Sequence, residues 1–232
     1  MGGTAGSGTS GAGGSTSPDD AGASTEAAAA PTPAKIGTAL FNADFEDGKS
    51  DSWTTYDGTL EIASGGAGAS AKALGFRTTT PASIGKAVTM GASTATSFVL
   101  ESDIMFQAGG QASLIFRVSM PTAGGPDNLT AYAAGLDSGA GNVWAAKFAN
   151  MYSPLGSVPI SVNTLTWYHL RVDVSPAGFV VFLDGTYIMS VNDASLTGGG
   201  MVGLRGDWGP IGDAGMAPKV LFDNVKQSAI GN

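Results

Sequence analysis

Two carboxylates and a guanidinium are spaced along this chain so that they could grip a polyhydroxylated ligand. In Phe98-Val-Leu-Glu-Ser-Asp-Ile-Met-Phe106, Glu101 and Asp103 alternate with Leu100, Ser102 and Ile104. This is the period-two pattern of a strand with one buried face. After Gly109-Gly110, residues 112–119 put Leu114, Phe116 and Val118 on one face and Ile115 and Arg117 on the other. If the two strands are neighbours, Glu101, Asp103 and Arg117 share one surface of a sheet. A carboxylate there accepts from two adjacent sugar hydroxyls, while a guanidinium donates through a fixed fork. A cross-strand ion pair on a solvated face is the plainer alternative. Farther along, Gly206-Asp207-Trp208-Gly209 sets an aromatic in a glycine-flanked loop. Trp208 could cover the apolar face of a sugar ring, with Asp207 beside it for a hydroxyl, or it could seal the end of the core. Tyr132 and Trp144 lie on a hairpin between these stretches and could serve in the same way, whereas Trp53 and Trp167 read as core.

The elements that must position these groups are strands. The stretch 167–185, WYHLRVDVSPAGFVVFLDG, reads as a strand, a turn at Pro176-Ala177-Gly178 and a returning strand ending on Asp184-Gly185. Residues 130–137 form a further strand, 138–142 a turn and 143–148 its partner, while 121–128 is a long polar loop. The chain's 36 glycines, all but the eight in residues 1–34 lying among these stretches, fit many short strands joined by turns. No long helical periodicity and no internal repeat is present.

Residues 1–34 hold eight Gly, nine Ala, five Ser, five Thr and three Pro, with no large apolar residue beyond Met1. Such a segment has little to bury and reads as a disordered, flexible linker. Residues 35–232 are long enough for one sandwich with its own core. The net charge of −8 leaves no basic stripe for nucleic acid or for an anionic membrane surface. No apolar run approaches the roughly 18–20 residues that span a bilayer, and no signal peptide is recognisable. With zero cysteines, disulfides, thiol chemistry and Cys-ligated zinc are excluded. His169 is the single histidine, and no Ser–His–Asp triad assembles around it; it reads as a histidine on a sheet face.

In order and spacing, several pieces resemble the concanavalin A-like (laminin-G-like) jelly roll. They are Phe45-Glu-Asp-Gly48 followed by Trp53, the strands 98–106 and 111–117, Tyr132-Ala-Ala-Gly-Leu-Asp137, Trp167-Tyr-His-Leu-Arg171, Gly203-Leu-Arg205 and Phe222-Asp-Asn-Val225. Within that fold the chain is most similar to fructan-binding-type carbohydrate-binding modules of secreted glycoside hydrolases. The resemblance implies an all-β, antiparallel jelly-roll β-sandwich. It also implies that an acidic residue and an arginine hold a terminal sugar, and that a tryptophan binds near Trp208. First and last strands often pair in such folds, which would bring Asp44, Glu46 and Asp223 together as hard oxygen ligands for a structural Ca²⁺; turn chemistry at Asp47-Gly48 is the alternative. Glucanases of this fold carry Glu-x-Asp-x-x-Glu on one strand, but here Glu101-Ser-Asp103-Ile-Met is followed by Phe106 and lacks the second glutamate.

The expectation is therefore a non-catalytic carbohydrate-binding module of a secreted or surface-attached bacterial protein, extracellular or at the cell surface, with a lipoprotein as one form of it, acting as a monomer or as one module of a larger chain. Its partner would be a poly- or oligosaccharide, with neither nucleic acid nor membrane insertion. A glycoside hydrolase or lyase of the same fold is the first alternative and an adhesion or surface-display domain the second.

Overall fold

The alternating apolar residues of this chain build strands that can bury only one face each, and two sheets closing on one another are the solution. The computed structural model describes residues 2, 29–77, 84–125, 127–207 and 219–231, and among these no residue is helical. The linker expected at 1–34 lies outside the described residues except for residues 2 and 29–34.

One sheet runs in the order β13 (Thr186–Val191), β12 (Gly178–Leu183), β11 (Trp167–Ser175), β6 (Phe98–Phe106), β15 (Val220–Ile230), β4 (Lys72–Arg77) and β3 (Thr59–Ser64), with β1 (Ile36–Ala43) also paired to β15. The other runs β10 (Tyr152–Pro159), β9 (Asn142–Ala149), β8 (Thr130–Asp137), β7 (Gln111–Ser119), β14 (Met201–Asp207), β5 (Ile84–Thr89) and β2 (Trp53–Asp57). Every pairing is antiparallel. This is the antiparallel jelly-roll sandwich that the sequence predicts. The first and last strands do pair, Ile36 opposite Ile230 and Ala43 opposite Val225.

Between the sheets, Phe98 of β6, Phe116 of β7, Tyr132 of β8 and Phe179 of β12 pack at ring-centroid separations of 5.0–6.5 Å. Such pairs add about 0.5–1.5 kcal/mol each beyond the area they bury. Leu100, Ile104, Leu114, Leu136, Val172, Leu204 and Phe222 complete this interior, all fully buried. A second apolar cluster lies on the opposite, outward face of the seven-stranded sheet. It is made of Val88, Ile115, Val118, Leu129, Ala131, Ala133, Trp144, Ala146 and Phe148. An outward sheet face is ordinarily polar, and this one is apolar.

Candidate functional site

What sits over that second cluster is a cleft of about 680 Å³, lined among others by Gln111, Asp127, Asp137, Asn142, Trp144, Tyr152 and Arg205. Its floor is low because β8 and β9 present small residues there, Ala133 opposite Ala146 and Gly135 opposite Trp144. A Cβ on Gly135 would stand 2.9 Å from Trp144 Cε2 and 2.6 Å from Ser113 Cβ, besides meeting the Ala112 carbonyl. Only glycine lets the indole lie down on the sheet. The Trp144 ring meets that of Tyr152 at 6.3 Å, and Tyr152 in turn meets Phe148 at 5.8 Å. Trp144 is 6% exposed and Tyr152 45%, so one ring forms the wall and the other, on edge strand β10, the rim.

The polar side of the cleft is held by its own hydrogen bonds. Asp137 Oδ1 accepts the Gly139 and Ala140 amides, both at 2.8 Å, and its Oδ2 accepts Gln111 Nε2 at 2.8 Å. Arg205 of β14 lies over the Phe148 ring at 5.0 Å and meets Asp127 at 3.1 Å. Asp127 belongs to the loop between β7 and β8, and that loop is pinned from below by Lys86. Fully buried, Lys86 donates through Nζ to the carbonyls of Thr122 and Gly125 at 2.9 Å and of Asn128 at 3.3 Å, and pairs with Asp57 at 3.2 Å. Two buried polar atoms of the lining, Trp144 Nε1 and Asn142 Oδ1, have no hydrogen-bond partner among the described residues. Asp207, two residues beyond Arg205 on the same face of β14, stands at the cleft margin, where a Cβ on Gly110 would lie 2.6 Å from its Oδ2. Burial raises its carboxyl above the ordinary range, opposed by the Gln111 amide. Trp208 lies outside the described residues.

Residues 38–227 match the family described as the 3-keto-alpha-glucoside-1,2-lyase-like domain. The chain belongs to that family. No curated protein sequence matches it. Among solved structures it is similar to the carbohydrate-binding module CBM66 of Bacillus subtilis, with 21% identity and a TM-score of 0.57 over 77% of this chain and 96% of that one. It is also similar to the exoplasmic/lumenal domain of VIP36 in a Ca²⁺- and Man-bound form, with 12% identity and a TM-score of 0.56 over 76% and 82%. A third likeness is to the Bacillus licheniformis β-glucanase, with 14% identity and a TM-score of 0.57 over 83% and 98%. At these identities the three likenesses establish the jelly-roll fold of this lyase-like domain.

The fold separates the trio expected to act together. Glu101 and Asp103 point outward from the eight-stranded sheet, as their parity predicts, but Arg117 is in the other sheet. Its backbone takes φ 53°, and the pairing of β7 with β8 shifts register between Phe116 and Ser119. That bulge breaks the alternation and sends the guanidinium to the carbonyls of Leu196 (2.5 Å), Thr96 (2.8 Å) and Ser175 (3.0 Å). Arg117 is thus a staple between loops and the two sheets. Tyr132 likewise turns into the core, its hydroxyl donating to Asp193 Oδ1 at 2.6 Å.

The place expected for Arg117 is filled from β11. In register, His169 is opposite Asp103 and Arg171 is opposite Glu101. His169 Nδ1 is 2.8 Å from Asp103 Oδ1, and its Nε2 is 3.5 Å from Glu101 Oε1. Arg171 reaches Glu101 at 3.6 Å and Asp173 at 2.7 Å. Arg171 and Asp173 also clamp the backbone of Ala34: Asp173 Oδ2 accepts its amide at 2.5 Å, and Arg171 Nη2 donates to its carbonyl. The hydrogen bonds to Asp103 and then Glu101 push the imidazole up to about 9. Since that value lies above the ordinary ~6.5, the charged ring stabilises the fold fully below about pH 6.5, and the contribution is lost as pH rises toward 9. The melting temperature of the native protein should therefore exceed that of His169→Gln at pH 6, with the gap closed by about pH 10. A pH-independent gap would contradict this.

Glu46 and Asp223 do approach one corner of the sandwich. Glu46 Oε1 accepts Ser70 Oγ at 2.6 Å and the amides of Ala71 and Lys72 at 2.9 Å. Asp223, fully buried, accepts the Ala67 amide at 2.8 Å, and burial raises its carboxyl. Beside Gly66, where a Cβ would meet Lys72 O at 2.5 Å and Asp223 Oδ2 at 2.6 Å as well as Ser70 Oγ, oxygens from three segments converge. Asp44 serves its own turn, accepting the Glu46 amide at 3.3 Å. Among the described residues, no group of three or more His, Asp or Glu forms a metal cluster. The oxygen set would suit a hard cation, although the neighbouring Lys72 ammonium, 2.9 Å from the Glu46 carbonyl, opposes one.

Of the cleft residues, sequence reasoning found Trp144 and Asp207. Tyr152, Asn142, Gln111, Asp127, Asp137 and Arg205 were missed as site residues. The one signal that could have pointed to some of them is Asn142-Val-Trp144 followed by Tyr152, with two residues of the first strand sharing a face.

Proposed function

We propose that this domain binds carbohydrate in the cleft of the seven-stranded sheet, and does so as a non-catalytic module of an exported bacterial protein. The carrying observation is the pair of unmet polar atoms, Trp144 Nε1 and Asn142 Oδ1, in a cleft that also presents the Tyr152 ring. A buried donor or acceptor left without a partner costs about 1–3 kcal/mol, and a sugar hydroxyl can satisfy either one. The aromatic rim supplies an apolar surface for the ring's C–H face. Binding to a glycan array and to insoluble polysaccharides is the test, with Tyr152→Ala as the informative variant. Its side chain is half exposed and packs on the rings of Trp144 and Phe148, so the variant should weaken binding about tenfold, roughly 1.4 kcal/mol, with a fall of only a few degrees in melting temperature. Binding to a protein surface with silence on glycans would instead favour an adhesion domain.

Family membership favours a second reading, an elimination from a keto-sugar glycoside. Such a step removes the proton on the carbon next to the carbonyl, forms a C=C bond to the anomeric carbon and breaks the glycosidic C–O bond, the departing oxygen leaving as an alcohol with a proton from water. Asp207, raised by burial at the cleft margin, would take the first proton. Release of free sugar by the purified domain, abolished in Asp207→Asn, would establish the enzyme.

The proposal includes one structural Ca²⁺ at the Glu46–Asp223 corner, held by those carboxylates with Ser70 Oγ and Lys72 O. The ion would neutralise the buried Asp223 and tie the first and last strands together. Chelator should then lower the melting temperature, since a ligand bound only to the native state adds RT ln(1+[L]/Kd). An unchanged melting curve would count against it.

A further inference from the structure

We infer that the cleft selects uncharged sugars and turns away uronates and sulfated glycans, an inference that rests on the carbohydrate-binding reading above. The first observation is how the charges are disposed. Among the described residues lining the cleft, Arg205 is the one cation, and its charge is met by Asp127 at 3.1 Å while its flat face lies on Phe148. Lys86 lies beneath, sealed from solvent and met by Asp57 at 3.2 Å. Asp137 and Asp207 remain, one on the lining and one at the margin, and Lys219 and Arg205 are the cations that act on Asp207. The set Asp57, Asp127, Asp137 and Asp207 against Lys86, Arg205 and Lys219 is net negative. A carboxylate or sulfate entering the cleft would have to compete with Asp127 for the Arg205 guanidinium, whose Nη2 already donates to Asp127 Oδ1 at 3.1 Å, and recognition of planar anions ordinarily relies on a guanidinium fork given over to them.

The second observation is independent of charge. The two polar atoms that wait for a partner are the indole N–H of Trp144, a side chain more than nine-tenths buried, and the amide oxygen of Asn142. One donates and the other accepts. They belong to alternate residues on one face of β9, about 7 Å apart along the strand at roughly 3.4 Å per residue. A hydroxyl can serve both kinds of partner because it donates and accepts, whereas a carboxylate or sulfate group placed at the same spot only accepts and would leave Asn142 Oδ1 unmet. Asn142 Oδ1 and the carboxylates beside it would repel the anion, and Gln111 and Ser157 complete a lining whose remaining hydrogen-bonding groups are neutral.

The test compares binding of neutral oligosaccharides with their uronate and sulfated counterparts of the same linkage, using the whole chain. Anionic members should bind at least about tenfold more weakly at low ionic strength, since like charges brought together are costly. The gap should narrow between about 0.02 and about 0.5 M salt as the charges are screened, and it should narrow at low salt in Asp207→Asn, a change of charge with little change of shape. Uronates bound as tightly as neutral sugars, or a gap indifferent to salt, would overturn the selectivity and leave carbohydrate binding standing. Silence across the whole panel would overturn both. A misfolded Asp207→Asn, seen by circular dichroism, leaves the salt series to decide.

Discussion

Lys86→Met is expected to be among the most damaging single substitutions in the domain, and to damage stability and ligand binding together. One ammonium holds three carbonyls of the 122–128 loop and the Asp57 carboxylate. Removing one partner of a buried pair costs about 3–5 kcal/mol, because the other charge stays behind uncompensated. In a domain of this size that is a fall in melting temperature of roughly 10 °C or more. The released loop carries Asp127, so the cleft wall should loosen. Hydrogen exchange in 122–128 should accelerate even at temperatures where the fold persists. Adding Asp57→Asn removes the orphaned charge and should recover part of the loss. A variant as stable as the native protein would show that the loop is held by something else.

Arg117→Met should be nearly as costly and yet spare the cleft. Three part-buried carbonyls, of Thr96, Ser175 and Leu196, lose a charged donor. At about 1–3 kcal/mol per unsatisfied group, partly relieved by water reaching the loops, a net loss of about 2–4 kcal/mol is expected. No cleft residue touches Arg117, so glycan affinity measured well below the melting point should match that of the native protein. The two variants together separate support of the fold from support of the site. Loss of glycan affinity in a folded Arg117→Met would break that separation.

Much of the scaffold was legible because its signal is local. The alternation around Glu101 gave β6 with both ends correct, the run before Asp137 gave β8, and Pro176-Ala177-Gly178 with Asp184-Gly185 gave the β11–β12 hairpin. The five strands before residue 90 were not resolved strand by strand: they are short, rich in Gly, Ala and Thr, and carry little contrast between faces. Arg117 defeated the parity argument because a single residue at φ 53° inverts every later face of its strand. The cleft was harder still. Asp127, in the β7–β8 loop, and Asn142 and Arg205, on β9 and β14, converge from segments far apart in sequence, and the order β9-β8-β7-β14 that brings them together is a property of topology. Trp144 was found by residue type alone. What made it a wall and not a plug, the glycine across from it, is visible only in the register.

The pairing of Ile36 with Ile230, reinforced by the Gly231 amide donating to the Lys35 carbonyl at 2.7 Å, brings the two ends of the sandwich side by side. A domain built this way can be spliced into a surface loop of a host without stretching either. It also sets how the domain answers tension. Force drawn through both ends would peel β15 from β1 one rung at a time instead of shearing the whole ladder at once, and it would start on the edge of the sheet that does not carry the cleft. Under load, the grip would outlast the hem.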